Sequence, residues 1–218
     1  MTTSAASRIT TPWTRIGSLA LRAVRLELLM YASIGRAMAR RPAVPPGAKG
    51  FRYDSPVQLL LVVLVVVSAG EVVALDLILR RWPPVRIPFL VLGIWGTVFG
   101  VGLFCAHVMR PHTVGPQGIR IRDGFDLDLG IDWAVIHSLR PKRRTYDTKP
   151  PRVLDCDGSD ILVVPVSSET NVEVTFEQPT TVRLPGHPPK GGDRVVSGAR
   201  LWVDDPKGFL AGVKEHFF

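Results

Sequence analysis

Cysteine is scarce in this 218-residue chain, which contains only Cys105 and Cys156. Cys105 falls inside a long apolar run and Cys156 inside a polar segment, so we do not expect the two thiols to meet. This scarcity excludes a disulfide framework and a cysteine-rich metal site. The five histidines include no pair at the spacing of metal ligands. The sequence therefore predicts no metal site and no cofactor.

Catalytic motifs are also missing from the sequence. Serine, aspartate and histidine occur, but without a nucleophile elbow or the pattern of a catalytic triad. The glycine pairs lack the strand–glycine–helix context of a phosphate-binding loop. We therefore predict no catalytic residue and expect that the chain is not an enzyme.

Acidic residues are few at the start of the chain, where Glu27 and Asp54 stand against nine arginines and lysines in residues 1–56. Residues 110–218 carry fifteen basic and fifteen acidic side chains, so most of the net charge of +8 precedes residue 57. A basic excess can indicate nucleic acid. Because this one directly precedes a long apolar run, a lipid bilayer is the expected partner and nucleic acid is not.

Two long apolar runs are the strongest feature of the sequence. Residues 57–79 and 87–109 each comprise 23 residues, enough to cross a hydrocarbon core of about 30 Å at about 1.5 Å per residue. The link 80–86 is short and contains two prolines, so the helices must form an antiparallel hairpin. The soluble remainder is too small to bury such a pair. We therefore predict a two-helix transmembrane hairpin at 57–109.

The basic residues also predict an orientation. Nine of them precede the first span and Arg110 follows the second, whereas the link 80–86 carries three arginines. The positive-inside rule favours the more basic side as the cytoplasmic one. We therefore expect a multi-pass protein of the plasma membrane with both termini in the cytoplasm.

Two carboxylates, Glu71 and Asp76, lie in the first span. Five residues of helix put them about 140° apart, so they do not form one site. Asp76 can pair with Arg80 one turn later, whereas Glu71 lies at about the depth of Trp95. Intramembrane carboxylates are functional candidates. For Glu71, a packing contact and an ion or proton pathway are both open.

Small residues in the two spans indicate close helix packing. Gly93, Gly96 and Gly100 recur on one side of the second span, and Gly70 and Ala74 have the small-xxx-small spacing in the first. Such residues let helix backbones approach closely where hydrophobic burial gives no driving force. This pattern predicts a tightly packed hairpin, a homo-oligomer, or both.

Residues 1–56 form the first predicted unit, with a helix at 13–39. Arg15, Arg22 and Arg36 lie on one heptad line beside a wide apolar face. Two positions of this helix are open: the headgroup layer, where the arginines contact anionic lipid, or the surface of the soluble domain. A proline-rich segment then leads to the first span as an extended linker.

After residue 110 the sequence alternates with period 2. Residues 118–124 and 125–131 predict a β-hairpin, and the proline- and glycine-rich residues 186–197 predict a loop. Asp205 and Pro206 predict the start of a final amphipathic helix. Residues 133–139 predict a bent strand or a short turn. The other predicted strands are 152–156, 161–166, 172–176, 181–184 and 199–203. Residues 110–218 thus form a mainly-β domain closed by a C-terminal helix.

Residues 118–139, which end in "IDWAVIHSL", and the capped stretch "VDDPKGFLAGVKEHF" resemble the first strands and the last helix of bacterial pleckstrin-homology (PH)-like domains. The stretches "RRPAVPPGAKGFRY" and "RPHTVGPQGIRIRDG", together with the spans, resemble an uncharacterised group of actinobacterial two-span membrane proteins. The resemblance implies antiparallel strands closed by a C-terminal helix. An OB-type barrel is the alternative fold, against which the final helix argues.

Lys142, Arg143 and Arg144 form the densest basic run of the soluble part. They can face the anionic inner leaflet or belong to a solvated loop. A β domain without net charge, held at a membrane, favours a membrane-anchored interaction or scaffold protein of the inner leaflet with a protein partner. The alternative is a small oligomeric transport or channel component that uses Glu71.

Overall fold

The computed structural model describes residues 12–148, 150, 152–156, 158–185 and 191–217, without the side chains of 12–16, 18–20, 22, 25 and 217. Short 3₁₀ turns occur at Leu79–Arg81 and Trp133–Val135. The helices and strands are α1 (Pro12–Met38), β1 (Lys49–Phe51), α2 (Ser55–Ile78), α3 (Pro83–Met109), β2 (His112–Gly115), β3 (Gly118–Asp123), β4 (Leu127–Asp132), β5 (Ile136–Thr145), β6 (Val153–Cys156), β7 (Ser159–Val164), β8 (Glu169–Leu184), β9 (Gly192–Leu201) and α4 (Pro206–Phe217).

Helices α2 and α3 form an antiparallel hairpin, and both are long and apolar enough to cross a membrane. A Cβ atom at Gly93 would lie 2.7 Å from Val72 Cγ2, and one at Gly100 would lie 3.2 Å from Val65 Cγ2. The outer surface of the pair consists of exposed leucine, valine, isoleucine and aromatic side chains. A continuous apolar surface of this size is typical of a membrane or interaction surface.

The hairpin is inserted between two paired strands of one sheet. β1 precedes α2 and β2 follows α3, yet β1 and β2 pair antiparallel, with Phe51 opposite His112 and Lys49 opposite Val114. The segment predicted as an extended linker therefore contributes a strand to the β domain. Three residues are too few to carry an alternation pattern, which is why the sequence alone does not reveal β1.

The β domain has two sheets. The first, sheet A, has the antiparallel order β1-β2-β3-β4, and the second, sheet B, has the order β5-β8-β9-β7-β6. In sheet B, β7 and β9 are parallel, which differs from the uniformly antiparallel arrangement expected from the sequence. The difference arises because β9 pairs antiparallel with β8 along one edge. Along its other edge β9 pairs with β7, which is itself one strand of the β6–β7 hairpin.

Two predicted boundaries in sheet B differ from the structure. The strands predicted at 172–176 and 181–184 are parts of the single strand β8, whose pairing with β9 shifts register between Thr175 and Thr180. The loop predicted at 186–197 ends earlier, because β9 begins at Gly192; residues 186–190 lie outside the described residues. Val196 is buried against the core, so the strand is held by packing rather than by a continuous apolar pattern.

One hydrophobic core lies between the sheets and α4. Phe209 and Val213 of α4 are buried in it, and the Phe209 ring meets Phe51 of β1 edge to face at 5.2 Å. The Asp205 carboxylate accepts a hydrogen bond from the Gly208 amide at 2.9 Å, which is the predicted cap of this helix. The C-terminal helix thus closes the domain and contacts the strand that precedes the hairpin.

Candidate functional site

Tyr53 lies at the centre of the junction between the hairpin and the β domain and is 1% exposed. Its hydroxyl oxygen accepts a hydrogen bond from the Gly124 amide at 2.8 Å, and its ring stacks on His112 at 4.5 Å. Burial raises the pKa of Tyr53 above its ordinary value. The hydroxyl therefore stays protonated and retains a hydrogen that it can donate.

His112 connects three strands through both nitrogens of its ring. The Arg122 amide donates to Nδ1 at 3.0 Å, so Nε2 carries the proton and donates to the Trp202 carbonyl at 3.1 Å. Burial lowers the pKa of His112 to about 4. His112 is thus a neutral structural histidine that ties β2 to β3 and to the end of β9.

The β domain also holds the first turn of α2. The Asp204 carboxylate, just after β9, accepts hydrogen bonds from the Ser55 hydroxyl at 2.7 Å and the Ser55 amide at 3.2 Å. Trp202 Nε1 donates to the same carboxylate at 3.1 Å. An anionic side chain at a helix N-terminus is stabilising, because it accepts from unpaired amides and opposes the positive end of the helix dipole.

The end of α3 is held by a second set of contacts. Arg110 pairs with Asp128 at 3.0 Å, and Arg120 and Arg122 pair with the same carboxylate. Burial lowers the pKa of Arg122, which opposes the attraction of Asp128. The Ala43 amide donates to the last carbonyl of α3 at 2.8 Å. The ends of α2 and α3 that adjoin the β domain are therefore both fixed to it.

A cavity of about 300 Å³, the junction pocket, lies where the hairpin meets the β domain. Its helical wall comes from Val57 in the first turn of α2 and His107 in the last turn of α3. Its other walls are loops of the β domain, which bring Tyr53, Asp123, Arg152, Ser167 and Ser168 to the same cavity. Polar groups therefore converge at the level where both apolar helices end.

A larger open groove of about 630 Å³, the outer groove, runs over the outer face of sheet A. Gly115 and Gly130 form part of its floor, and Arg120, Asp132 and Gln117 supply polar groups at its sides. A Cβ atom at Gly130 would meet nothing within 4 Å. The groove is therefore open above Gly130, which suits a flat or extended ligand.

Helix α1 occupies neither of the two positions expected for it. Met30 packs on Gly102 of α3, and Trp95 Nε1 donates to Glu27 Oε1 at 3.2 Å. Trp95 precedes the end of α3 by fourteen residues, or about 21 Å of helix, so α1 lies along α3. Arg36 is exposed, whereas the side chains of Arg15 and Arg22 lie outside the described part of the chain.

Two of the five small residues lie at the contact between α2 and α3, and three lie on the outer surface of the hairpin. Gly93 and Gly100 lie at the contact between α2 and α3, where a side chain would collide with valine. Gly70 and Gly96 face open space, with no atom within 4 Å of an added Cβ, and Ala74 is exposed. The outward-facing group is therefore free for a second copy or for lipid.

The two carboxylates of α2 have different surroundings. Asp76 forms two hydrogen bonds with Arg86, at 2.6 and 2.9 Å, rather than the pair expected with Arg80. Arg86 lies in the first turn of α3 and reaches back across the hairpin, a contact that local sequence spacing does not reveal. Glu71 is exposed, and no hydrogen bond joins it to a described side chain.

The basic run near residue 143 belongs to β5 rather than to a loop. Lys142 pairs with Glu173 at 3.3 Å and Arg143 with Glu169 at 2.7 Å, while Arg144 is half-buried. Glu173 also pairs with Arg140 and Arg200. The basic charge of this run is therefore partly neutralised by β8, about thirty residues later, which a local reading of the sequence does not reveal.

Neither a metal site nor a related protein identifies a function for this chain. Within the described ranges, no group of three or more His, Cys, Asp or Glu side chains could hold a metal ion. Cys105 and Cys156 are both free thiols. No family model, curated protein or solved structure with which the chain was compared matches it.

Proposed function

We propose that this protein is a membrane-anchored, non-catalytic interaction or scaffold protein of the inner leaflet. The observation that carries the proposal is the pairing of β1 with β2 on either side of the hairpin. A hairpin inserted between two paired strands fixes the orientation of the β domain relative to the bilayer. Such a domain presents one defined surface to a partner at a constant distance from the membrane.

The proposed topology places the hairpin across the plasma membrane and both termini in the cytoplasm. Its support is that α2 begins and α3 ends at the same β domain, so the link at 80–86 lies at the far end of the hairpin. The arginines and lysines from Arg36 to Arg52, between the last turn of α1 and the start of α2, lie on the domain side. The outward-facing Gly70, Ala74 and Gly96 are available for self-association.

The β domain is proposed to be PH-like. Two sheets over one core, closed by α4, support this assignment, while the parallel pair β7–β9 is a departure from it. The outer groove is the proposed site for a protein partner. Gly130 of its floor belongs to β4, the edge strand of sheet A, so an extended peptide segment can lie along it.

Photocrosslinking in cells tests the outer groove. A photoreactive amino acid in place of Gln117, which is exposed at the groove, is expected to give one discrete heavier adduct. A Cβ atom at Gly130 would meet nothing within 4 Å, so Gly130→Trp should place its ring in the groove, and the adduct should fall to about a tenth or less, as loss of about 1.4 kcal/mol implies. Ser159→Trp, at an exposed position of β7 in sheet B, is the matched control and should leave the adduct unchanged. Equal adducts from all three proteins would contradict the proposal.

A transport or channel component remains the alternative function. It requires Glu71 to take part in a path for ions or protons. Glu71 is exposed on the outside of α2, and among the described residues no side chain connects it to α3 or to the junction pocket. The geometry therefore favours the interaction protein.

A further inference from the structure

We propose that the junction pocket binds the zwitterionic headgroup of a phosphatidylethanolamine-type phospholipid, with the phosphate on its hydroxyl and guanidinium donors and the ammonium on Asp123. This inference rests on the proposed insertion of α2 and α3 in the bilayer. It assigns a lipid ligand to a cavity other than the outer groove, where the protein partner is proposed to bind.

The position of the pocket matches the headgroup layer. Val57 is in the first turn of α2 and His107 is two residues before the end of α3, so both lie within about 5 Å of the helix ends. Below them most of the side chains that the helices expose are apolar, with Glu71 as an exposed carboxylate. A lipid whose acyl chains lie along that surface places its headgroup at the pocket.

Hydrogen-bond donors dominate the polar lining. The Tyr53 hydroxyl oxygen already accepts from Gly124, and its hydrogen has no acceptor among the described residues. Ser167 and Ser168 add two hydroxyls. Arg152 donates from Nη2 to Asp123, and its other N–H groups have no acceptor among the described residues. Phosphate oxygens are acceptors only, so a donor-rich wall with a guanidinium suits them.

The charges of the pocket favour a zwitterion over an anion. Arg152 Nη2 donates to Asp123 Oδ2 at 2.6 Å, so the described lining holds one cation and one carboxylate. His107 donates from Nδ1 to the Leu103 carbonyl at 2.9 Å, which leaves the lone pair of Nε2 for a donor when the ring is neutral. A primary ammonium can donate to Asp123, whereas a choline headgroup has no N–H to offer. A net-neutral lining likewise gives no advantage to a headgroup with net negative charge.

The serine turn has an unusual backbone for its residue type. Ser167 and Ser168 have φ of 49° and 61°, and they form the two-residue turn between Val166 and Glu169, whose backbones exchange hydrogen bonds at 3.0 and 2.9 Å. Asparagine and glycine are the usual residues in such turns. Two serines there retain hydroxyls at a conformational cost, as is common at ligand sites.

Native mass spectrometry of the full chain in detergent tests the proposal. Phosphatidylethanolamine, phosphatidylcholine and phosphatidylglycerol with identical acyl chains serve as probes. We expect the ethanolamine lipid to bind at least about 10-fold more tightly than either of the others, the effect of one charge-assisted hydrogen bond. Equal binding of the three lipids, tighter binding of the glycerol lipid, or no binding would overturn the proposal.

Variants of the pocket separate ligand contacts from folding. Ser167→Gly with Ser168→Gly removes both hydroxyls but keeps a backbone that glycine adopts freely, so lipid affinity should fall about 10-fold while thermal stability stays equal or rises. Asp123→Asn should abolish the preference for ethanolamine over choline. Arg152→Gln should also lower the lipid affinity. Arg183→Gln, at an exposed position of β8, is its charge-matched control and should leave the affinity unchanged. Unchanged affinity in the serine variant would overturn the proposal.

Soluble glycerophosphoethanolamine distinguishes a lipid from a free phosphate ester. It carries the same phosphodiester headgroup without acyl chains, so it should displace the bound lipid only at concentrations far above the lipid's own dissociation constant. Displacement at equal concentration would make a soluble ester the ligand and overturn the lipid assignment. Loss of lipid binding with intact crosslinking at the outer groove refutes this inference alone, whereas extraction of the chain into the aqueous fraction refutes the membrane anchor itself.

Discussion

Tyr53→Ala is expected to lower the free energy of unfolding of the β domain by about 3–5 kcal/mol, the usual cost of deleting a buried aromatic side chain. The Tyr53 ring is 1% exposed and fills the space between His112, His107 and the first turn of α2. Its removal leaves a cavity in the layer where the ends of α2 and α3 meet the β domain. It also leaves the Gly124 amide without its hydrogen-bond acceptor.

Urea unfolding in detergent micelles, followed by tryptophan fluorescence, measures this effect. Tyr53→Phe keeps the ring and loses only the acceptor for Gly124, so it should cost about 1–3 kcal/mol, the penalty of one buried unsatisfied amide. Tyr31→Ala is the matched control, because Tyr31 of α1 is 46% exposed, and it should change the stability much less. A Tyr53→Ala protein as stable as the control would contradict the structure of the junction.

Acid should destabilise the β domain well before its carboxylates titrate. His112 has its pKa lowered to about 4 in the folded protein from an ordinary 6.5, so above pH 6.5 it is neutral in both states and contributes no pH dependence. Between pH 6.5 and 4 the unfolded chain takes up a proton that the folded chain does not. The folded state should therefore lose about 2 kcal/mol by pH 5 and about 3 kcal/mol by pH 4.

His112→Gln is the control for this prediction, because a glutamine side chain can still donate one hydrogen bond and accept another but does not titrate. Stability measured from pH 7.5 to 5 should then be nearly flat. The carboxyl groups of Asp128 and Glu173 have pKa values below their ordinary range, so the stability that they contribute is lost only at lower pH. A decline between pH 6.5 and 5 that is equal with and without His112 would exclude His112 as its cause.

Much of the architecture follows from local sequence pattern. The apolar runs predict the hairpin. The alternating residues 118–131 predict β3 and β4, which pair with Asp123 opposite Leu127. Asp205 predicts the cap of α4. Each of these features depends on neighbours within a few residues. Periodicity and capping therefore suffice to predict them.

The junction depends instead on contacts between residues far apart in the chain. Tyr53 meets Gly124, Ser55 meets Asp204, and β1 meets β2 only after 60 residues of hairpin have intervened. Three-residue strands and single aspartates carry no periodic signal. The "RYDS" segment before the first span is the one local indication, because polar residues directly before an apolar helix are candidates for a cap.

Charge patterns proved the least informative part of the sequence. Asp128 pairs with Arg110 at the end of α3 and with two arginines of β3. Glu173 pairs with two basic side chains of β5 and with Arg200 of β9. A dense basic run therefore indicates a cationic surface only when no carboxylate lies on a neighbouring strand. Strand pairing, which determines those neighbours, is not visible from residue spacing alone.

The central claim is that α2 and α3 cross the membrane and that the β domain lies on its cytoplasmic side. Labelling of single cysteines with a membrane-impermeant maleimide tests it, in a background with Cys105→Ala and Cys156→Ser. Trp82→Cys in the exposed link should react in intact cells, whereas Asp126→Cys in the exposed β3–β4 turn should react only after lysis. Reaction of both positions in intact cells, or of Asp126→Cys alone, would contradict this account.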